Sequence, residues 1–425
     1  ANVVAARYCG AKNYSELNRT VHTSMLLSVI SGFLLMAAGL LFAEQILGLM
    51  STPESILGMA SDYLRLYFCG MPFMMIYNFG NALLRAAGDT RRPLIYLICG
   101  GVVNVLLDLL FVIALDMSAA GVGLATAISQ GVSAALMVRC LMREKDENGL
   151  KLRLKNLRIH KDKLLMILRI GLPAGFQGTV FSLSNVVIQS SINLFGEAVI
   201  AGNSAAASIE GFVYMAMNSC YQSTLSFTSA NIGAGKYERI NKILRCGLLC
   251  VVAVWAILGL GVAMTFSRPL LSIYTSGDEA INAGVRRMMY VCGTYFLCGI
   301  MDVMVGSLRG MGYSVTPMIV SLLGACGLRL VWLGTVFQME QFHTPDTVYL
   351  SYPVSWVITV AAHVICFFIC RRRLKKRSSS GKRKAFRRRG ELNSGGGYGN
   401  YLTTGRQFVC PCLFCCKRML RTIIL

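Results

Sequence analysis

The sequence predicts an all-α protein that crosses a membrane many times. Of its 425 residues, 55% are hydrophobic and only 15% are charged, and the mean hydropathy is +0.56. Soluble domains carry about a quarter of charged residues. Apolar runs of about 20 residues, the length that a helix needs to cross a bilayer, recur along the chain. Both observations favour a polytopic helical membrane protein over a series of soluble domains.

Ten apolar stretches satisfy the length of a membrane-spanning helix. Four lie before a polar loop and six follow it, and the segment from Arg139 to Lys163 contains nine Lys and Arg. The fifth carries Pro173 near its start, where the missing backbone N–H predicts a bend. The approximate ranges in chain order are 24–47, 63–84, 93–115, 119–141, 164–195, 198–229, 243–267, 283–308, 315–338 and 348–370.

Lys and Arg collect in alternate loops. They lie before the first span and after the second, fourth, sixth and eighth, whereas Asp and Glu predominate in the loops between. Cytoplasmic loops are the ones that collect Lys and Arg. The alternation predicts that both ends of this chain face the cytoplasm.

Three segments follow from this distribution: an incomplete N-lobe of four spans (1–150), a C-lobe of six spans (151–372) and a basic tail (373–425). From Arg371 onward there are sixteen Lys and Arg and one acidic residue, so residues 1–370 contribute only +7 of the net charge of +22. The tail is rich in Ser, Gly and Arg and cannot bury a core. We expect it to be disordered and to bind anionic membrane lipids rather than nucleic acid.

The sixteen cysteines do not indicate a disulfide protein. Twelve lie in residues 1–370, most of them inside apolar runs where Cys packs as a small hydrophobic residue. The other four, in Cys410–Cys416, have no second ligand pair and no nearby His. Unpaired thiols, with or without lipidation, are favoured over a metal site.

The chain also contains an internal repeat. The segment from Gly10 to Tyr14 matches that from Gly233 to Tyr237 at an offset of 223 residues. The segment 84–93, Leu-Arg-Ala-Ala-Gly-Asp-Thr-Arg-Arg-Pro, matches 308–317 at an offset of 224. Each match joins segments on the same predicted side of the membrane, which indicates parallel repeats of the kind found in secondary transporters.

In the second repeat two spans precede the Gly233 segment, whereas only nine residues precede Gly10. We therefore expect this chain to be an N-terminally truncated version of a twelve-helix, six-plus-six protein that lacks about its first two helices.

These motifs resemble the MATE (multidrug and toxic compound extrusion) family, in particular its DinF-like bacterial branch. The segment 84–93 is joined by 121–130 in the fourth span, Gly171-Leu-Pro173-Ala-Gly175 in the fifth, 231–236 after the sixth and 308–312 after the eighth. The resemblance covers about residues 1–372. It implies two six-helix lobes that exchange inward and outward access and export organic cations and drugs against Na⁺ or H⁺.

Asp108 is the clearest ionisable residue inside a predicted span. Asn104 is four residues earlier and shares its helix face. A carboxylate and an amide oxygen suit a hard cation, and a carboxylate with a raised pKa suits a proton. The resemblance adds Thr126 on the next helix as a third member of this coupling site. The alternative is a solvated carboxylate at the outer end of its helix.

A second set of polar residues lies in the spans of the C-lobe. Asp302, Glu210 and Arg329 are ionisable residues within apolar runs, where burial of a charge is costly. They predict either an internal ion pair, Arg329 with Glu210 or Asp302, or direct contact with cation or drug. Gln177 and Asn203 are further candidates for this site. Gln177 and Phe181 stand in the region where NorM-like relatives carry a glutamate, which favours the DinF-like arrangement.

The sequence thus predicts a monomeric secondary antiporter of the plasma membrane rather than an enzyme. It needs no cofactor other than Na⁺ or H⁺ as coupling ion, because no phosphate-binding loop of an ATPase is evident. Two alternatives remain: a lipid-linked oligosaccharide flippase of the same superfamily, which calls for more deeply placed Arg and Lys than Arg329 alone, and an inactive transporter fragment.

Overall fold

The computed structural model of the chain describes residues 1–49 and 54–393, with side chains described for 1–48 and 54–375. Within these ranges the regular secondary structure is entirely helical, which confirms the all-α class. The α-helices are α1 Asn2–Gly10, α2 Tyr14–Leu49, α3 Glu54–Cys69, α4 Met71–Ala86, α5 Arg91–Leu109, α6 Ser118–Met142, α7 Lys161–Ile192, α8 Glu197–Gly233, α9 Ile240–Val254, α10 Ser267–Ser272, α11 Asp278–Tyr290, α12 Phe296–Gly310, α13 Val315–Ser321, α14 Leu328–Gly334 and α15 Pro345–Asn393.

Three of the spans contain a wider π-helical turn. These turns continue α5 at Leu110–Ala114, α9 at Trp255–Met264 and α13 at Leu322–Gly327. A π-helical turn inside an α-helix changes the register of the residues that follow it. The third one directly precedes α14, which carries Arg329.

Seven helical stretches of the described residues are long and apolar enough to cross a membrane. They are Tyr14–Gly48, Arg91–Ala114, Ser118–Met142, Lys161–Phe195, Tyr237–Met264, Val315–Gln338 and Pro345–Lys375. The predicted number of ten is therefore not confirmed. The second predicted span is divided at Gly70 and the eighth between α11 and α12, and α8 carries polar side chains that lower its hydropathy.

The described residues form two compact units. The first contains Ala1–Arg169 and Ser229–Gly235, and the second contains Ile170–Thr228 and the described residues from Lys236 onward. The lobe boundaries at 150 and 372 stay predictions, as does the disorder of the tail. Helix α15 is described through Asn393, and the cysteine cluster at 410–416 lies outside the described residues.

In the first unit, α4 packs between α2 and α6, and α5 packs on α6. The core consists of apolar residues of α2, α4 and α6, among them Leu17, Leu84 and Met137, all completely buried. Gly80 of α4 allows close approach, since a Cβ there would lie 2.3 Å from Cγ of Met137. Small residues at such crossings let membrane helices approach closely.

The ends of α1 and α8 make a reciprocal contact in the same unit. A Cβ at Gly10 would lie 1.9 Å from the carbonyl oxygen of Ala230, and a Cβ at Gly233 would lie 1.9 Å from that of Arg7. Gly10 and Gly233 are 223 residues apart, as are Arg7 and Ala230, which is the offset of the internal repeat. Replacing each residue by its equivalent 223 residues away turns one contact into the other, which is the relation found in a two-fold interface.

In the second unit, α12 packs on α9 and α15, and α11 and α14 also contact α15. Glycines of α12 make these approaches possible: a Cβ at Gly299 would lie 2.5 Å from Cγ2 of Val251, and one at Gly306 would lie 2.9 Å from the carbonyl oxygen of Tyr221. The helices leave a cavity between them, which holds most of the predicted C-lobe residues.

Candidate functional site

The cavity of the second unit has a volume of about 640 Å³. This size is typical of pockets for small organic ligands, which range over about 300–1,000 Å³. Its wall contains five charged residues and six aromatic ones, together with amides and small side chains. The charged residues are Glu210, Arg287, Asp302, Arg309 and Arg329, and the aromatic ones are Phe181, Tyr214, Tyr221, Tyr295, Tyr352 and Trp356 from α7, α8, α12 and α15 and their connections.

A buried ion pair joins α8 and α11 on one wall. The guanidinium of Arg287 donates to the carboxylate of Glu210 with distances of 3.2 Å from Nε to Oε1 and 2.8 Å from Nη2 to Oε2. Its Nη1 donates to Oδ1 of Asn203 at 2.6 Å, and Asn203 in turn donates to Oε1 of Gln189 at 2.7 Å. Bidentate pairs of this kind are the strongest charged hydrogen bonds in proteins.

A second guanidinium is held by neutral groups. Arg309, near the end of α12, donates from Nη1 to the hydroxyl of Tyr221 at 2.9 Å and from Nη2 to Oε1 of Gln177 at 2.8 Å. Asp302 lies two turns earlier on α12 and lines the same cavity. Neither charge has a salt-bridge partner among the described residues.

The third guanidinium, that of Arg329, is stacked on aromatic rings. Its Cζ lies 4.2 Å from the ring centre of Tyr352 and 5.4 Å from that of Trp356, and its Nε donates to Oγ of Ser355 at 2.8 Å. Within the described part of the chain, its Nη2 is inaccessible to solvent and has no hydrogen-bond partner. The residue is only 4% exposed. An ionised group is therefore buried with most of its donors unused.

The structure brings four of the five predicted C-lobe residues to this one cavity. Glu210, Asp302, Arg329 and Gln177 line it, and Asn203 is attached to it through Arg287. Their roles in transport stay predictions. The alternative ion pair between Arg329 and Glu210 or Asp302 is wrong, because Glu210 is paired with Arg287 and Asp302 has no salt bridge among the described residues.

Neither Arg287 nor Arg309 stands out in the sequence as a deeply placed cation, since the predicted eighth span, 283–308, contains the first and ends directly before the second. Both are buried in helices, at 7% and 8% exposure. Arg329 is therefore not alone as a deeply placed cation. A signal for Arg287 was present: Ala280, Gly284 and Arg287 recur at helical spacing and form the buried stripe of α11, whose polar first turn resembles a loop.

The predicted coupling residues lie in the first unit. Asn104 and Asp108 are on α5, and Thr126 is on α6. These helices pack in antiparallel register, with Gly100 against Ser133 and Gly121 against Phe111.

This register puts Thr126 at the height of the turn between Asn104 and Asp108. Oδ1 of Asp108 and Nδ2 of Asn104 are inaccessible to solvent and have no hydrogen-bond partner in the described ranges. The hydroxyl of Thr126 donates to the carbonyl oxygen of Val122 at 2.9 Å, so its lone pairs remain able to accept or coordinate.

Among the described residues, no group of three or more His, Cys, Asp or Glu side chains is arranged to hold a metal ion. The role of Asn104, Asp108 and Thr126 as a coupling site stays a prediction.

Comparison with known proteins gives one consistent result. The MatE family model matches residues 1–110 and 173–333. The probable multidrug resistance protein YoeA of Bacillus subtilis is 25% identical over 85% of this chain and 78% of its own length. The FAD transporter of Shewanella oneidensis is 22% identical over 86% of this chain and 80% of its own length. The crystal structure of the Vibrio cholerae MATE transporter VcmN in the bent form superposes with a TM-score of 0.75, at 20% identity, over 88% of this chain and 83% of that one.

Proposed function

Because the chain belongs to the MatE family of multi-pass membrane transporters, we propose that it is a secondary antiporter that exports small amphipathic molecules across the plasma membrane in exchange for Na⁺ or H⁺. In this proposal Asp108 carries the coupling ion, with Asn104 and Thr126 as neighbouring oxygen donors. The cavity that contains Arg329 binds the exported molecule.

The observation that carries the proposal is that a carboxylate oxygen of Asp108 is buried without a hydrogen-bond partner among the described residues. Asp108 lies in Arg91–Ala114, a stretch long and apolar enough to cross the membrane, and its Oδ1 is the oxygen without a partner in the described part of the chain. A buried carboxylate oxygen without a partner costs several kcal/mol of free energy. A bound Na⁺ would offset this cost by coordination, and a proton would offset it by neutralising the charge.

The membrane-embedded position also supports coupling to a gradient. When access to Asp108 alternates between the two sides of the membrane, the carboxylate binds a cation on one side and releases it on the other. The names of the relatives support small organic molecules as cargo, and they include a flavin dinucleotide as well as drugs.

The test is transport by purified protein in sealed vesicles. An inward Na⁺ gradient, an inward pH gradient and no gradient are compared for efflux of a fluorescent dye, so that the two coupling ions are distinguished. We expect one gradient to accelerate efflux at least tenfold in the wild-type protein, and Asp108→Asn to abolish that acceleration. Gradient-driven efflux that persists in Asp108→Asn would refute the role of Asp108.

The matched control is Asp116→Asn. Asp116 is exposed at the end of the same helical stretch and has a positive φ of 48°, a conformation that Asn adopts as readily as Asp. The two variants therefore make the same chemical change, and only the one inside the helix should lose coupling.

A further inference from the structure

The cavity of the second unit carries more positive than negative charge. Three guanidinium groups (Arg287, Arg309 and Arg329) line it together with two carboxylates (Glu210 and Asp302). The carboxylate of Glu210 is fully engaged by Arg287. Among the described residues, Asp302 is the acidic group of the lining that no ion pair neutralises, and two of the guanidinium groups, those of Arg309 and Arg329, likewise have no ion pair. This balance does not fit a pocket built for cations alone.

Arg329 is the cation with the least compensation. It is 4% exposed, yet it has no salt bridge within the described residues, and only Nε has a hydrogen-bond partner. A buried ion usually costs several kcal/mol unless it is paired and hydrogen-bonded. A structural ion pair with Glu210 or Asp302 would have removed this cost, and neither is formed. The remaining donors of the Arg329 guanidinium therefore have no partner among the described residues, and a bound anionic group would supply one.

The rings around Arg329 hold the guanidinium in a defined plane. Tyr352 and Trp356 lie 4.2 and 5.4 Å from its Cζ, and Ser355 fixes its Nε. Stacking of this kind leaves the terminal nitrogens as a planar fork, which matches the two oxygens of a carboxylate. The same rings, with Tyr295 beside Trp356 at 5.6 Å, offer flat apolar surface.

We propose that this cavity recognises aromatic carboxylates, with the carboxylate on Arg329 and the planar ring system against Tyr352, Trp356 and Tyr295. A cationic group elsewhere on the ligand is compatible with the site, because Asp302, on α12, also lines the cavity. As a statement about exported substrates, the proposal rests on the proposed transport function. As a statement about binding, it stands on the cavity alone.

The experiment compares two dyes that differ only at the carboxyl group. Rhodamine B carries a free carboxylate beside its xanthene rings, and in rhodamine B ethyl ester this carboxylate is masked, which leaves an organic cation. Dissociation constants of both dyes are measured by fluorescence anisotropy with the 425-residue chain in detergent. We expect the acid to bind the wild-type protein about tenfold more tightly than the ester, since a charged hydrogen-bonded contact is lost on esterification.

Three variants test the assignment to Arg329. In Arg329→Gln the preference for the acid should fall to about one, while the affinity for the ester stays within about twofold, which shows that the cavity is still folded. In Arg329→Lys part of the preference should return. Arg286→Gln removes a neighbouring exposed guanidinium (side-chain exposure 63%) and should leave both affinities unchanged.

Equal binding of acid and ester by the wild-type protein, binding of neither dye, or an unchanged preference in Arg329→Gln would each overturn the proposal. The outcome is separate from that of the vesicle experiment. Acid-selective binding without gradient-driven efflux would refute the antiport and support the carboxylate site. Gradient-driven efflux without acid-selective binding would refute the carboxylate site and support the antiport.

Discussion

Arg287 and Glu210 form a bidentate ion pair with both side chains less than one-tenth exposed, although 77 residues separate them in the chain. The pair joins α11 to α8 and closes one wall of the cavity. Because the Glu210 carboxylate accepts from two nitrogens of the same guanidinium, neither charge is left uncompensated. The pair also explains why Glu210 is unavailable to Arg329.

Removal of one partner should destabilise the protein strongly. Glu210→Gln leaves the buried guanidinium of Arg287 without a counter-charge, and loss of one partner of a buried pair costs about 3–5 kcal/mol. The melting temperature in detergent should therefore fall clearly for Glu210→Gln and for Arg287→Met.

The double variant Glu210→Gln/Arg287→Met should lose less stability than the sum of the two single changes, because no buried charge is then unpaired. Arg286→Met, which disrupts only an exposed contact of 3.6 Å with Asp346, is the matched control and should change stability by no more than about 1 kcal/mol. Strict additivity of the two single variants would show that the pair is not a unit.

Much of this site could be predicted from residues alone. Polar side chains are rare in apolar runs, so Glu210, Asp302 and Arg329 are conspicuous in sequence, and the structure brings all three to one cavity. The internal repeat likewise predicts that Gly10 and Gly233 are equivalent, and in the structure they make equivalent contacts.

The pairing could not be predicted, because it depends on which helix faces meet. Arg287 follows Asp278, Glu279 and Arg286, so its surroundings have the charge density of a loop. Its burial is decided by the register of α11, which turns Arg287 inward and Arg286 outward. The length of an apolar run also does not show where a helix is interrupted, so the division of one predicted span at Gly70 into α3 and α4 could not be predicted.

The contact between the ends of α1 and α8 predicts that alanine is not tolerated at Gly10 or at Gly233. Gly10→Ala and Gly233→Ala each place a methyl group 1.9 Å from a backbone carbonyl oxygen, which cannot move as a side chain can. Each variant should lower the melting temperature or the yield of folded protein, and the two should behave alike because the contact is reciprocal.

Gly101→Ala is the control for these substitutions. Gly101 lies inside α5 and a Cβ there would have no neighbour within 4 Å, so alanine should be neutral or should stabilise by up to about 1 kcal/mol through helix propensity. A wild-type melting temperature for Gly10→Ala would contradict the close approach.

Asn18 holds the basic loop after α6 against α2. Its Nδ2 donates to the carbonyl oxygens of Lys151 at 2.9 Å and Gly149 at 3.4 Å. Asn18→Leu removes both bonds, each with a net contribution of about 0.5–1.5 kcal/mol, so the loop should open about tenfold more often or more. Limited trypsin digestion should then cut between Lys145 and Arg158 correspondingly faster, since cleavage follows the open population. Ser15→Ala, at an exposed position one turn earlier, should digest at the wild-type rate.

His160 should make the end of the same loop sensitive to pH. Its backbone N–H donates to Oγ1 of Thr23 at 3.1 Å, directly before α7 begins. Burial lowers the pKa of His160 below its ordinary value of 6.5, and the nearby positive charge of Arg19 acts in the same direction, against a smaller opposing effect of Asp162.

Since the folded pKa lies below the unfolded one, the detached segment binds the proton more readily than the docked one. Docking of the segment is therefore at full strength above about pH 6.5 and weakens as the pH falls towards the lowered pKa. Hydrogen exchange of the amides of residues 158–163, corrected for its intrinsic pH dependence, should accelerate between pH 7.5 and 5.5 in the wild-type protein. In His160→Gln the corrected rate should be the same at both pH values, and a pH dependence that survives this substitution would assign the effect to another group.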